Sequence, residues 1–398
     1  MRKFDAKLDT PIDVLVLGEH PCAYLAAALL RQDVGKPGKA KPKLRVVHAA
    51  LPSEQPVDRL VTVNPALFDL HPLMGRVRDD LPTTPVHGLR FLADDAATAS
   101  EHRASSPMVA VVRYRQLRDA VAAVAAAEGV EFIHGSGGGE PRVRVHRADE
   151  TGLDVTVGKH EVRPTALIMA GDRPRDHVDQ QAALGLPDTW GADVAHRFTS
   201  LRCKSLKHLN LPDKPLMPMS LDLAGRLCWA WLVPGDGEFQ LTVEQRIGGG
   251  SATAGAELLA HWVAVLQRHG HLGPKFTFDR SATTSVDLPL AGALVHEGVA
   301  NRTLLIGPAG GFYSACGEDV YPGCWSALFA ADVLRKALRQ PHLQDALADY
   351  RQVWRTTLGD YLRGPQQNLR LLLPLVYRNP VMTARLAEAV LLSKSVVR

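Results

Sequence analysis

Near the C-terminus the chain reads Thr303-Leu-Leu-Ile-Gly-Pro-Ala-Gly-Gly-Phe-Tyr-Ser-Ala-Cys-Gly-Glu-Asp-Val-Tyr321 and runs on into Trp325-Ser-Ala-Leu-Phe-Ala-Ala-Asp-Val-Leu-Arg-Lys-Ala-Leu338. An apolar strand enters a glycine turn, a short loop follows, and a long amphipathic helix leaves. The N-terminal region repeats the same grammar. Asp13-Val-Leu-Val-Leu17 reads as a buried strand, a turn spans Gly18 to Pro21, and a helix is expected from about Ala23 to Gln32. Leu44-Arg-Val-Val-His48 is the next strand, which makes a strand-helix-strand unit and two parallel strands.

Working outward, Met108 to Val112 leads into a helix through Glu128, and Glu131-Phe-Ile-His134 follows as a strand. Alternation over Arg142 to His146 and Leu153 to Val157 predicts a small hairpin or meander. Thr165-Ala-Leu-Ile-Met-Ala170 is another buried strand and ends at Gly171-Asp172. Pro52 to about Ser106 is irregular and Pro-rich, the pattern of functional loops or an excursion into a second domain. From Phe198 to about Thr284 strand-like runs at Leu227–Val233 and Phe239–Val243 precede a helix over Gly255 to Arg268. Beyond Pro341 the pattern is helical and basic, and there is no internal repeat.

The chain has 398 residues, 46% hydrophobic and 22% charged, with net charge +4. That length suits two intertwined domains. The positive residues are scattered and form no stripe with aromatics, so nucleic acid is not an expected partner. Five cysteines with no C-x-x-C pair disfavour a disulfide framework or zinc site and read as reduced thiols. The charged N-terminus has no apolar signal core, and no run of about 18 apolar residues exists. A cytoplasmic protein is expected.

The order of pieces from about Ile12 to Tyr377 resembles the FAD-dependent family that includes geranylgeranyl reductases, aromatic hydroxylases and flavin halogenases, with the first of these nearest. Three segments carry the resemblance. In the first, Gly18 and Pro21 match a Gly-x-Gly-Pro-Ala-Gly turn; Ala23 stands at the third glycine and His20 at the middle one, where the backbone normally approaches a pyrophosphate. In the second, Gly171-Asp172 and the downstream Ala183-Leu-Gly-Leu-Pro187 match a strand-end region that helps bind FAD and a pyridine nucleotide. In the third, Gly307, Ala309, Gly311 and Phe312 match Gly-Asp-Ala-Ala-Gly-Phe, with Pro308 in place of the aspartate that bonds a ribityl hydroxyl. Gly317-Glu318 match the start of a Gly-Glu-Gly, and Asp319 replaces its second glycine, either capping the following helix or opposing an anionic reduced flavin. The second strand ends at His48 where an acidic ribose ligand is usual. Tyr114 aligns with a cofactor-side arginine and is flanked by Arg113 and Arg115, between which the alignment does not choose.

The resemblance implies an α/β protein: a Rossmann-like, three-layer FAD-binding domain from 1–80, 105–190 and 285–345. A mainly antiparallel substrate domain is inserted as 80–105 and 190–285, and a C-terminal helical segment follows over 345–398. It implies an FAD-dependent oxidoreductase, with NAD(P)H as an electron donor and an apolar organic substrate of isoprenoid or aromatic type. No general base stands out. Four anchors are altered, namely His20, His48, Pro308 and Asp319, and each lost contact costs roughly 1.5–3 kcal/mol. The rival reading is therefore a flavoprotein-like scaffold that has lost redox chemistry and serves in binding or assembly. Glu318, Asp319, Tyr321, Tyr313, Ser314, Cys316 and Cys324 form a polar and thiol cluster that reads either as a site or as loop and cap residues. Trp229 and Trp231 share one strand face and are either core or substrate wall. The basic, amphipathic stretch from Asn368 either packs on the body or makes a peripheral membrane contact. The oligomeric state is not fixed by the sequence.

Overall fold

The computed structural model describes residues 11–32, 43–50, 58–95, 98–133, 143–149, 151–170, 178–179, 184, 195–210, 212–246, 255–289, 298–314, 317–363 and 369–394. A six-stranded sheet runs in the order Val299–Ala300, Thr303–Ile306, Pro164–Ala170, Ile12–Leu17, Val46–Ala49, Glu131–Ile133. Its pairings are parallel except at the Val299–Ala300 edge. The strands read as unbroken apolar runs because both faces are covered. Val14, Val16, Val46, Ile168 and Ile306 pack under the helices Pro21–Arg31, Tyr114–Ala127 and Val320–Ala337. Leu15, Leu17, Val47 and Leu167 pack on the other face against a hairpin of Val143–Asp149 and Gly152–Val157. Small residues let the first and third of those helices approach closely, with Ala23, Ala26, Ala27, Ala327 and Ala330 all fully buried.

A seven-stranded sheet is ordered Thr284–Pro289, Ala195–Cys203, Phe239–Arg246, Arg226–Pro234, Met217–Leu223, Gly88–Leu92, Ala99–Arg103. It is antiparallel except where Met217–Leu223 meets Gly88–Leu92. Alternation along Arg226–Pro234 sorts its faces. Cys228, Ala230 and Leu232 pack under the helix Gly255–Arg268, with Trp262 at its centre. Trp229, Trp231 and Val233 face the opposite way, toward Leu60, Val109 and the C-terminal helices.

The segment that reads as irregular, Pro52 to Ser106, holds more order than expected within its described part. Leu60–Val63 and Thr84–Val86 flank Val109–Arg113 in a three-stranded sheet, and Pro72–Arg78 is helical. Its prolines disguise the elements. Pro72 occupies the first helical turn and Pro85 an outer strand of the three-stranded sheet, the positions that tolerate a missing N–H. The first long helix likewise begins at Pro21, two residues earlier than its alanine pattern suggests.

Candidate functional site

The parallel strands Ile12–Leu17 and Thr303–Ile306 both end in glycine turns that lead to helix starts. Gly18 has φ +122°, and a Cβ there would lie 1.3 Å from the Ala170 carbonyl oxygen, so this turn is pressed onto the neighbouring strand. Pro21 and Ala23 lie buried in the first turn of the helix that follows. His20 caps that helix. Its Nδ1 accepts from the Cys22 N–H at 3.2 Å and lies 2.9 Å from Cys22 Sγ. The ring fills the space beside two glycines: a Cβ on Gly307 would lie 2.6 Å from Cys22 Sγ and 3.5 Å from His20 Nδ1, and one on Gly323 would lie 2.9 Å from His20 Cε1.

On its far side, His20 Nε2 lies 3.6 Å from Asp319 Oδ2, and the same oxygen accepts from Arg59 at 2.8 Å. Asp319 is 1% exposed. Burial alone raises its pKa, but Arg59 and His20 outweigh burial and bring it to about 2. The Arg59 guanidinium lies 4.0 Å over the Tyr114 ring, and the Arg59 carbonyl accepts from the Tyr114 N–H. Asp319 makes no side-chain cap to the helix Val320–Ala337. Glu318 does so instead: its Oε1 accepts from the Tyr321 N–H at 2.7 Å, and its Oε2 accepts from the Tyr361 hydroxyl at 3.2 Å. Burial pushes the Glu318 carboxyl up to about 8 against those two donors, and the Asp319 charge adds to the rise.

The remaining expected anchors are placed as follows. His48 is 1% exposed, bonds the Gly18 carbonyl through Nε2 at 2.8 Å, and stacks on Tyr24 at 4.3 Å. It locks the turn, with its ring turned onto Tyr24. Arg113 leaves the crevice and pairs with Glu238 at 2.6 Å, and Arg115 is exposed. Pro308 is buried in the short turn Gly307–Gly310, which Gly311 closes in a left-handed conformation. Gly171, Asp172 and Cys316 lie outside the described residues. His20, Gly307, Glu318 and Asp319 thus converge, whereas His48, Arg113 and Arg115 do not join them. The partners Arg59 and Gly323 escape the sequence reading. Arg59 sits at the edge of a stretch with no clear period, and Gly323 lies inside a helix pattern.

This donor set does not fit a dinucleotide at its phosphate step. An anion bound at a helix start needs the free N–H groups there, and an imidazole nitrogen of the chain itself already takes the Cys22 N–H. The adjacent helix start carries a buried carboxylate, which repels a second anion.

Beyond Arg59 the structure opens. A cavity of about 170 Å³ lies between the strand Leu60–Val63 and the seven-stranded sheet, walled by Val61, Phe198, Trp231, Thr242, Val286 and Glu318. Gly317 closes one end, where a Cβ would lie 3.0 Å from Phe198 Cε1. Trp231 stands in this wall, while Trp229 packs in the core beside it. Charged groups on the wall are already paired. Arg59 bonds Asp319, and Arg202 bonds Glu238 at 2.5 Å and also Asp58. The hydroxyls of Ser200 and Thr242 bond each other at 3.0 Å. Among the described residues no group of three His, Cys, Asp or Glu side chains is arranged to hold a metal, and no helix is long and apolar enough to cross a membrane.

No protein-family model matches the sequence, and no curated protein matches it. Solved structures do match the fold. A flavoprotein/dehydrogenase from Cytophaga hutchinsonii superposes with a TM-score of 0.64 over 96% of this chain and 93% of that one, at 14% identity. A geranylgeranyl bacteriochlorophyll reductase-like protein from Thermoplasma acidophilum gives 0.61 over 87% and 83%, also at 14% identity. A p-nitrophenol 4-monooxygenase from Pseudomonas putida gives 0.58 over 96% and 97%, at 15% identity. The chain therefore has the fold of flavin-dependent oxidoreductases, as its motif order suggests.

Proposed function

We propose that this protein uses the flavin-dependent oxidoreductase fold to bind a small, neutral, largely apolar organic compound in the cavity beside Glu318, with no dinucleotide in the crevice behind it. The observation that carries the reading is the pairing of a filled crevice at His20 with an open cavity at Trp231. Size and charge set the ligand class. A cavity of about 170 Å³ is smaller than common drug-sized pockets and close to engineered cavities that take benzene, so a single ring fits. Every arginine on the wall has a carboxylate partner, so an anionic ligand gains no counter-ion, and Glu318 holds its proton up to about pH 8 and offers a cation no charge near neutrality. Phe198 and Trp231 supply aromatic faces.

The test is a titration of phenol followed by tryptophan fluorescence, since Trp231 borders the site. A saturable change is expected in the native protein. It should weaken at least about tenfold, roughly 1.4 kcal/mol, in Val61→Phe, which fills the cavity from its edge. Saturable binding that survives this substitution, or no binding at all, overturns the reading. The second reading is an FAD-dependent oxidoreductase fed by NAD(P)H and acting on the same class of compound. The fold and the retained Gly307 and Gly311 favour it. Protein that carries the visible absorbance of oxidised flavin would establish that alternative. Under either reading the cytoplasm is the proposed compartment, consistent with Cys22, Cys203, Cys228 and Cys324 being free thiols.

A further inference from the structure

We infer that His20, Arg59, Tyr114 and Asp319 form a built-in occupant of the dinucleotide crevice, which makes this fold independent of a bound nucleotide. His20 and Asp319 each take over a role that a dinucleotide fills in such a crevice, and Arg59 and Tyr114 hold them. The His20 imidazole accepts from a helix-start N–H in place of a phosphate oxygen. The Asp319 carboxylate supplies negative charge at the start of the second helix, where an anionic ligand is otherwise favoured. Arg59 neutralises that carboxylate at 2.8 Å and sits 4.0 Å over the Tyr114 ring, so the charge is paired inside the protein. The His20 and Tyr114 rings are 6.0 Å apart and bring the set into one continuous plug.

The glycines around the plug explain why the ring sits where it does. Gly307 and Gly323 pack closely on each other, with a Cβ on Gly323 coming within 3.3 Å of Gly307 Cα, and the His20 ring lies against both. Those are close approaches of backbone to a guest, and the guest here is a side chain of the same chain. His48 reinforces the closure from the other end by bonding the Gly18 carbonyl. The inference concerns the crevice alone and stands whether or not phenol binds at Trp231.

The experiment is equilibrium dialysis of the full-length protein against FAD, with retained FAD read by absorbance and the melting temperature read alongside. The native protein is expected to retain none and to melt unchanged. The double variant His20→Gly with Asp319→Gly, folded by circular dichroism, is expected to bind FAD at least about tenfold more tightly than the native chain, read by quenching of FAD fluorescence. His20→Ser, which keeps a helix cap but vacates the ring, is the second probe if the double variant does not fold, and a gain of FAD binding is expected there too. Native protein that retains FAD in stoichiometric amount overturns the inference. So does a folded double variant, or a folded His20→Ser when the double variant fails to fold, that binds no more FAD than the native chain. Phenol titration of the same samples reports separately on the cavity.

Discussion

Glu318 and Asp319 are adjacent in sequence, and their pKa values are shifted in opposite directions. Asp319 faces a guanidinium and stays ionised, so its stabilising contribution is complete above its ordinary value near 3.8 and is lost as pH falls through about 2. Glu318 has hydrogen-bond donors but no cation on its oxygens, and burial dominates. The folded protein keeps a proton up to about pH 8 that the unfolded chain releases near 4.5. Stability from this group is therefore fully present below the unfolded value and declines as pH rises toward the folded one, by up to about 1.4 kcal/mol per unit. Glu318→Gln mimics the protonated form and keeps the cap acceptor for Tyr321. Urea denaturation at two pH values inside that window should show the native protein losing stability as pH rises and the variant losing much less. An equal loss in both proteins would rule Glu318 out as the source. A carboxylic acid that holds its proton near neutrality also gives the cavity a polar edge without a charge, in keeping with a neutral guest.

Among the elements, the C-terminal helix Pro380–Leu392 settles how the seven-stranded sheet is covered. Asn379 caps it through Oδ1, and Leu386, Ala387, Val390 and Leu391 pack in one core with Phe91, Met217 and Met219. Val381 of this helix and Leu375 of the preceding helix Leu369–Arg378 stay exposed. Leu386 is 1% exposed, so Leu386→Ala should cost about 3 kcal/mol through lost burial and an unfilled cavity, seen as a lower urea midpoint. A cost near zero would mean that the helix leaves the sheet in solution. Such elements are readable in advance because a face repeats. Trp229, Trp231 and Val233 alternate with Cys228, Ala230 and Leu232, and the glycines at 18 and 307 mark turns that only close backbone approach explains. The chain order of strands, turns and helices carries the architecture for the same reason. What the linear pattern does not carry is the direction of a single side chain and the identity of a distant partner. His48 stands at the strand end where a ribose ligand is expected, yet its ring turns inward onto Tyr24. Asp319 is visible as a replaced glycine, but Arg59 lies 260 positions away and has no local signal. Leu60–Val63 is too short to show a period among prolines.

The six-stranded and seven-stranded sheets are joined around the small three-stranded sheet, through groups that are far apart in the chain. Arg59 bonds Asp319, the Leu60 N–H donates to Gln240 Oε1 at 2.9 Å, and Arg113 and Arg202 share the buried carboxylate of Glu238. The apolar core continues across the same junction, since Leu60, Val109 and Val111 pack with Phe198 and Trp231. Neither sheet can open without exposing part of the other's core and leaving an arginine or a carboxylate buried and unpaired. That coupling predicts one cooperative unfolding transition despite the length of the chain. Far-UV circular dichroism, which sees all the helices, and fluorescence, to which Trp229 and Trp231 of the seven-stranded sheet and Trp262 of the helix packed on it contribute, should trace the same urea curve. Asp319→Asn keeps the shape of the side chain but strands the Arg59 charge, so it should lower stability by about 2–4 kcal/mol. Because the broken pair lies at the junction, both signals should shift together by that amount. If the fluorescence transition stays in place while the dichroism transition moves, the seven-stranded sheet folds independently and the junction does not couple the two halves.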